Sequence, residues 1–301
     1  MLNVMQHRGD IVPRTIDEGF RDFLVKLTPS TVETTSAKSH RASVESCLKN
    51  NFGMTRFFRT GSFGNGTSIS GYSDVDYFAE IPSKNLKQNS SSTLTMVKNA
   101  LTTRFPNTGV RVTCPTVLVP FGYDKKDSTE IAPCDYRTTD HGFKIYEIAD
   151  GNGGWLKSCP DAHNAYVSSI DGKHNGKVKK LIRYIKAWKF YQNVSISSFY
   201  LELRVAKFCD GESSIFYHYD IKTILANLLS NNLAKMIDPL RISGSISPCE
   251  TQAKYDDAIS KLNTAVVRAE KALNAIQNDN VKDAFNWYNI LYNGDFANYY
   301  Y

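Results

Sequence analysis

The sequence predicts an α+β protein in which the first half mixes helices with strands and the second half is helical. Helix-spaced apolar residues fill 15–51 and return after Gly176, while β-prone runs concentrate between Thr55 and Tyr136. No internal repeat or low-complexity linker interrupts that order, so two lobes are expected, residues 1–170 and 171–301, with a cleft between them.

The elements follow in chain order. TIDEGFRDFLVKL, from Thr15, repeats apolar residues at helical spacing, and a second helix is expected from about Ser36 to Asn50. TRFFRTGSF is a short β-prone run broken by Gly61, and DYFAEI is a strand ended by Pro82. Thr93 to Phe105 reads as helix. VRVTCPTVLVPFG and TEIAPCDY, joined by the polar YDKKDS, read as a hairpin in which Pro115 breaks the first strand or marks a bulge. In KVKKLIRYIKAWKFY, Val178, Leu181, Ile182, Ile185 and Trp188 share one helix face. Ile259, Leu262, Val266, Ala269, Leu273 and Ile276 form a later stripe, expected to pack on the chain's own helices rather than in a coiled coil. RISGSISPCETQ reads as a loop.

Composition narrows the class. The 301 residues are 42% hydrophobic and 22% charged, the balance of a soluble globular protein. No run of eighteen uncharged apolar residues exists, so no membrane span is expected, and the N-terminal MLNVMQHRGDIVPR lacks the apolar core of a signal peptide. The six cysteines include no C-x-x-C pair and read as reduced thiols in a cytoplasmic protein. A formal charge of +6 suits phosphate-rich ligands, and stable nucleic-acid binding is not expected from it.

The stretch GSFGNGTSISGYSDVDYFAEI, residues 61–81, concentrates the chemistry. Asp74 and Asp76 are one residue apart before an apolar strand, so their side chains project from one face, about 7 Å apart. Oxygen-only ligands of that kind favour magnesium or manganese, and a two-ion site serves in-line phosphoryl displacement. Upstream, Gly61-Ser62 between a strand and a helix start offers backbone N–H groups and a hydroxyl to a phosphate. An ordinary strand-to-helix turn also favours Gly and Ser; the ordered combination with the carboxylate pair points to function. A third carboxylate must come from a neighbouring strand. Glu130 is the choice and Asp135 the rival. The absence of G-x-x-x-x-G-K-[ST] and of a strand-linked G-x-G-x-x-G disfavours a P-loop enzyme and a dinucleotide fold. The six histidines show no metal-ligand spacing.

With these residues the chain resembles the bacterial cGAS/DncV-like nucleotidyltransferases (CD-NTases), which make cyclic oligonucleotide signals. The G-S…D-x-D motif is that of the polymerase-β-like superfamily. Three later segments select the branch: WLKSCPDAHNAYV, LIRYIKAWKFYQNVSISSFYLE and FNWYNILYNGDF. The resemblance implies a polymerase-β-like nucleotidyltransferase lobe with a mixed sheet, a helical C-terminal lobe, and the active site in the cleft. It implies that Asp74, Asp76 and Glu130 hold two magnesium ions, with manganese an alternative. Gly61 and Ser62 would hold the donor triphosphate, Lys186 and Ser198 would contact it, and Phe199 would stack on a base. Lys179, Arg183 and Lys186 fall on one helix face, which by itself reads as a solvated stripe. Relatives frequently carry arginine where Asn65 stands in GSFGNGT.

The expectation is therefore a magnesium-dependent enzyme that joins ATP and other NTPs and cyclises the product. That product would be a second messenger in anti-phage (CBASS) signalling, reaching an effector by diffusion. Synthesis of linear oligonucleotides, modification of a macromolecule, and a nucleotide-binding regulatory module without turnover are the alternatives.

Overall fold

The computed structural model describes residues 12–72, 75–122 and 127–300, so Asp74 lies outside the described residues. Helix α1 (Ile16–Leu27) begins with a capping box. Thr15 Oγ1 accepts from the Glu18 N–H at 3.3 Å, and Glu18 Oε2 accepts from the Thr15 N–H at 2.8 Å. Two donors that a helix start leaves open are thereby satisfied. Helix α2 (Thr31–Phe52) starts ahead of the expected Ser36. Strand β1 (Arg56–Arg59), the short helix α3 (Gly61–Asn65) and strand β2 (Val75–Glu80) carry the motif region. Helix α4 (Ser90–Arg104) then leads to β3 (Arg111–Thr113), β4 (Thr116–Phe121), β5 (Asp127–Asp140), β6 (Phe143–Ala149) and β7 (Trp155–Ser158).

These strands form one mixed sheet in the order β1-β2-β5-β4-β3, with β6 and β7 continuing from the far half of β5. Only β2 and β5 run parallel; the other pairs are antiparallel. The expected hairpin is β4 against β5, with Val117 opposite Ile131. Pro115 occupies the turn that folds β3 onto β4, so the first strand is two strands rather than one with a bulge. The sequence reading did not include β6 and β7.

Alternation along the strands decides what faces the site. Val75, Tyr77 and Ala79 of β2, with Ile131 of β5 and Val117 and Val119 of β4, bury against Val44, Leu48, Leu94, Val97 and Leu101 from α2 and α4. The intervening residues of β2 and β5, Asp76 and Glu130 among them, are thereby turned to the opposite face.

The second half is α5 (Pro160–Lys173), α6 (Val178–Tyr191), α7 (Ser198–Asp210), α8 (Tyr217–Ser230), the short hairpin β8 (Met236–Ile237) and β9 (Ser245–Ile246), α9 (Gln252–Gln277) and α10 (Val281–Leu291). The expected apolar face of α6 is fully buried. The α9 stripe is buried at Leu262, Ala269 and Leu273, and Leu262 and Ala269 enter the same core, as expected for packing on the chain's own helices. RISGSISPCETQ is not all loop: it contains β9, which pairs with β8. Helix α1 joins this helical core. Phe20 meets Tyr184 and Tyr288 edge-on at 5.1 and 4.9 Å, and Phe23 meets Tyr292 at 4.6 Å. Burying each such ring is worth roughly 1.5–3 kcal/mol. Among the described residues no helix is long and apolar enough to cross a membrane, and the six cysteines are free.

Candidate active site

A cavity of about 670 Å³ opens between the sheet face carrying Asp76 and Glu130 and the helices α6 and α7. Gly61, Ser62, Asp76, Glu130, Lys186, Ser198 and Phe199, all singled out from sequence, line it. Asp74 is not described.

Asp76 and Glu130 are direct partners across the parallel β2–β5 pair, so both side chains leave the sheet on one face. Asp135 stands an odd number of residues from Glu130 and is not on the cavity wall. It is buried, accepts from Ser83 Oγ at 2.8 Å and pairs with Arg137 at 3.1 Å. Among the described residues no three His, Cys, Asp or Glu side chains are placed to hold a metal ion.

Gly61 is a geometric necessity beside these carboxylates. Its φ of +56° is in the left-handed region, and a Cβ there would overlap the Asp76 carboxylate and lie 2.9 Å from Asp76 Cβ. The Thr60 N–H donates to Asp76 O at 2.8 Å, which fixes the turn against β2. The gap between Ser62 and the aspartate is therefore held open by the missing side chain.

The opposite wall is built around a buried charge pair. Lys186 is only 1% exposed, and its Nζ donates to Glu202 Oε1 at 2.7 Å and to Thr67 O at 3.1 Å. Thr67 Oγ1 donates to the same carboxylate at 2.6 Å, and Asn65 Nδ2 donates to its other oxygen at 3.1 Å. Burial opposes ionisation of Glu202, but the Lys186 ammonium and these hydrogen bonds outweigh it and hold the carboxyl below its usual range. Arg183 Nε donates to Ser68 O at 3.1 Å. At Arg183 and Lys186 the basic face of α6 is thus not a solvated stripe: the two clasp the loop that follows α3. Asn65 supplies a neutral donor to the carboxylate that Lys186 already neutralises.

Ser197, not Ser198, caps α7 by accepting from the Tyr200 N–H at 3.3 Å. This leaves Ser198 Oγ to accept from Lys189 Nζ at 2.9 Å on the cavity wall. Phe199 is not core: it is 40% exposed and meets His163 edge-on at 5.0 Å. His163 is buried and bonds Asp238 at 3.0 Å through Nε2. Asp238 also accepts from the N–H groups of Leu240, Ile242 and Ser243. These bonds overcome the cost of burial, so the Asp238 carboxyl is held well below the usual range. The β8–β9 hairpin is thereby pinned to α5, and Ser243, Ser245 and Ile246 become cavity wall.

Sequence reasoning missed Lys189, Glu202 and the His163–Asp238 pair as parts of this site. Glu202 had a legible signal: a carboxylate amid Leu201, Leu203, Val205 and Ala206 needs a buried cation. The pairing of His163 with Asp238 had none, because it joins residues far apart in the chain.

The model of the Second Messenger Oligonucleotide or Dinucleotide Synthetase (SMODS) domain matches residues 15–170, more than half of the chain. The chain belongs to that family. Among curated proteins, a probable cyclic nucleotide synthase of Bacillus cereus (strain VD146) is 29% identical over 118 residues. That alignment covers 38% of this chain, and the chain spans about a third of the relative's length, 35%. Two solved structures have similar folds. CdnC of E. coli MS115-1, solved with ATP, has a TM-score of 0.71 at 18% identity, covering 93% of this chain and 98% of that one. CdnG, a CD-NTase of Bradyrhizobium diazoefficiens in complex with GTP, has a TM-score of 0.73 at 12% identity, covering 93% and 95%. These likenesses establish the polymerase-β-like fold that the resemblance in sequence implied for this SMODS-family chain.

Proposed function

We propose that the chain is a nucleotidyltransferase that joins NTPs and closes the product into a cyclic di- or oligonucleotide. One observation carries the reading: Asp76 and Glu130, paired across parallel strands, face a cavity that also holds Gly61, Ser62, Lys189 and Ser198. Carboxylates opposite phosphate-binding groups suit attack of a ribose hydroxyl on a donor α-phosphate with loss of pyrophosphate; a second transfer closes the ring. The SMODS family assignment and the name of the B. cereus relative support a cyclic product.

The two carboxylates fit a hard divalent cation because their donors are all oxygen and they project together into the cavity. Asp76 and Glu130, with Asp74, are the residues that would hold magnesium. A bound ion supplies charge neutralisation at the α-phosphate and a lowered pKa for the attacking hydroxyl. In this reading Gly61 and Ser62 cradle the triphosphate, and Lys189 and Ser198 meet it from α6 and α7. Lys186 acts behind them, holding the 65–67 loop in place through Glu202. Phe199 offers its exposed ring to a base. The division near residue 170 would then separate the strand carboxylates from the helices that close the cleft. A role in CBASS anti-phage signalling, with a diffusible product acting on an effector, is the biological context of the proposal.

Incubating the purified chain with the four NTPs and magnesium tests it. The expected outcome is pyrophosphate release and a phosphatase-resistant product with the mass of a cyclic oligonucleotide. Phosphatase-sensitive chains would instead indicate linear synthesis. Nucleotide binding without any pyrophosphate release would indicate a regulatory module.

A further inference from the structure

Tyr72 presents a large aromatic ring at the rim of the cavity, 48% exposed. The ring is nonetheless held firmly. It stacks on Phe190 at 5.5 Å and 29°, and it meets Tyr191 edge-on at 5.3 Å and 86°. Phe190 and Tyr191 end α6, a helix anchored in the core by Leu181, Ile185 and Trp188. Burial is also the main reason that the Tyr191 phenol is pushed up to about 12, with Asp295 and Tyr72 adding to it.

The neighbouring charge suggests what covers the ring. Lys189 Nζ lies 4.5 Å from the Phe190 ring centroid and bonds Ser198 on the same wall. An oriented, half-open ring whose stacking partner, Phe190, lies against a cation suits a flat π-system that carries negative charge, which is the description of a nucleobase on a polyphosphate. Phe199, the other exposed aromatic on this wall, is oriented by His163 and not by Phe190. We propose that Tyr72, backed by Phe190, is a stacking platform for a nucleobase, separate from Phe199. The proposal rests on the nucleotide reading of the cavity. Because every base has a π-face, the platform accepts both purines and pyrimidines.

Two variants separate stacking from packing: Tyr72→Leu keeps apolar bulk and removes the ring, and Tyr72→Phe keeps the ring. Isothermal titration of the full chain with α,β-methylene ATP, α,β-methylene GTP and inorganic tripolyphosphate reads both. The Leu variant is expected to bind the nucleotide analogues about 5- to 100-fold more weakly, the range for losing one base–aromatic stack. Its tripolyphosphate affinity should match wild type even though losing the contacts with Phe190 and Tyr191 lowers the melting temperature somewhat, and the Phe variant should stay within about twofold for every probe. Wild-type analogue affinity in Tyr72→Leu would overturn the platform alone and leave the nucleotide reading standing. Equal weakening toward tripolyphosphate would overturn it too, by assigning Tyr72 to the fold or to phosphate. A wild-type chain that binds tripolyphosphate but neither analogue would overturn both.

Discussion

Glu202→Gln keeps the shape of the buried side chain and removes its charge. The Lys186 ammonium, 1% exposed, would then face a neutral amide at the position where a carboxylate stands at 2.7 Å. Removing one partner of a buried ion pair costs about 3–5 kcal/mol, since the remaining charge stays desolvated. Glu202 also accepts from Thr67 and Asn65; the amide keeps one acceptor oxygen, and the Asn65 amide must turn over so that its Oδ1 accepts from the new NH2 group. Lys186→Met should cost a similar amount, whereas Lys186→Met/Glu202→Gln should cost much less than the two single changes together, because no uncompensated charge remains. Urea unfolding at neutral pH measures all three variants, with the midpoint as readout if the slope is unchanged. The linked consequence is a fall in turnover, since the loop next to Gly61-Ser62 is then held by a neutral amide in place of the carboxylate that Asn65, Thr67 and Lys186 share. Single-variant losses below about 1 kcal/mol, adding up in the double variant, would refute the buried-pair argument.

Two further outcomes follow from the same geometry. Gly61→Ala should lower stability by about 1–2 kcal/mol from the left-handed backbone alone. It should reduce turnover much further, because the new Cβ displaces the Asp76 carboxylate; comparing melting temperature with pyrophosphate release checks both. For pH, the Asp238 carboxyl has its folded pKa depressed below the reference value of 3.8. Its contribution is therefore fully present above that value and is lost as pH falls through the folded pKa. The stability gap between wild type and Asp238→Asn, followed by thermal melts at acid pH, should shrink as pH falls below about 4.

Much of this molecule is legible in its residues. The α6 and α9 stripes, the β4–β5 pair and the motif strand follow from periodicities of 3.6 and 2, and each is found where its apolar residues placed it. The places where sequence reading fell short share one cause. The break at Pro115 is legible, but that the chain turns back there to pair β4 with β3 is set by tertiary contacts. Strand β6 pairs with the far half of β5 and β7 pairs with β6, and their short runs do not announce that partnership. Lys186 carries a cation that looks solvated in a helical wheel, and only the fold brings Glu202 and Thr67 around it. In the site, Gly61 and Asp76 were legible together because they belong to one local motif. Glu130 could be set apart from Asp135 only through strand register and parity, which place one beside Asp76 and the other against Ser83 and Arg137.

That last distinction gives the most direct test of the active-site assignment. Product formation from the four NTPs with magnesium should be measured for Glu130→Gln and Asp135→Asn in parallel with wild type. Glu130→Gln should fall by at least about 100-fold with the melting temperature preserved, in the range seen when one group stabilising developing charge is removed. Asp135→Asn should keep turnover near wild type in the fraction that remains folded. Undiminished product from Glu130→Gln, or a folded but inactive Asp135→Asn, would contradict the placement of the chemistry at Asp76 and Glu130.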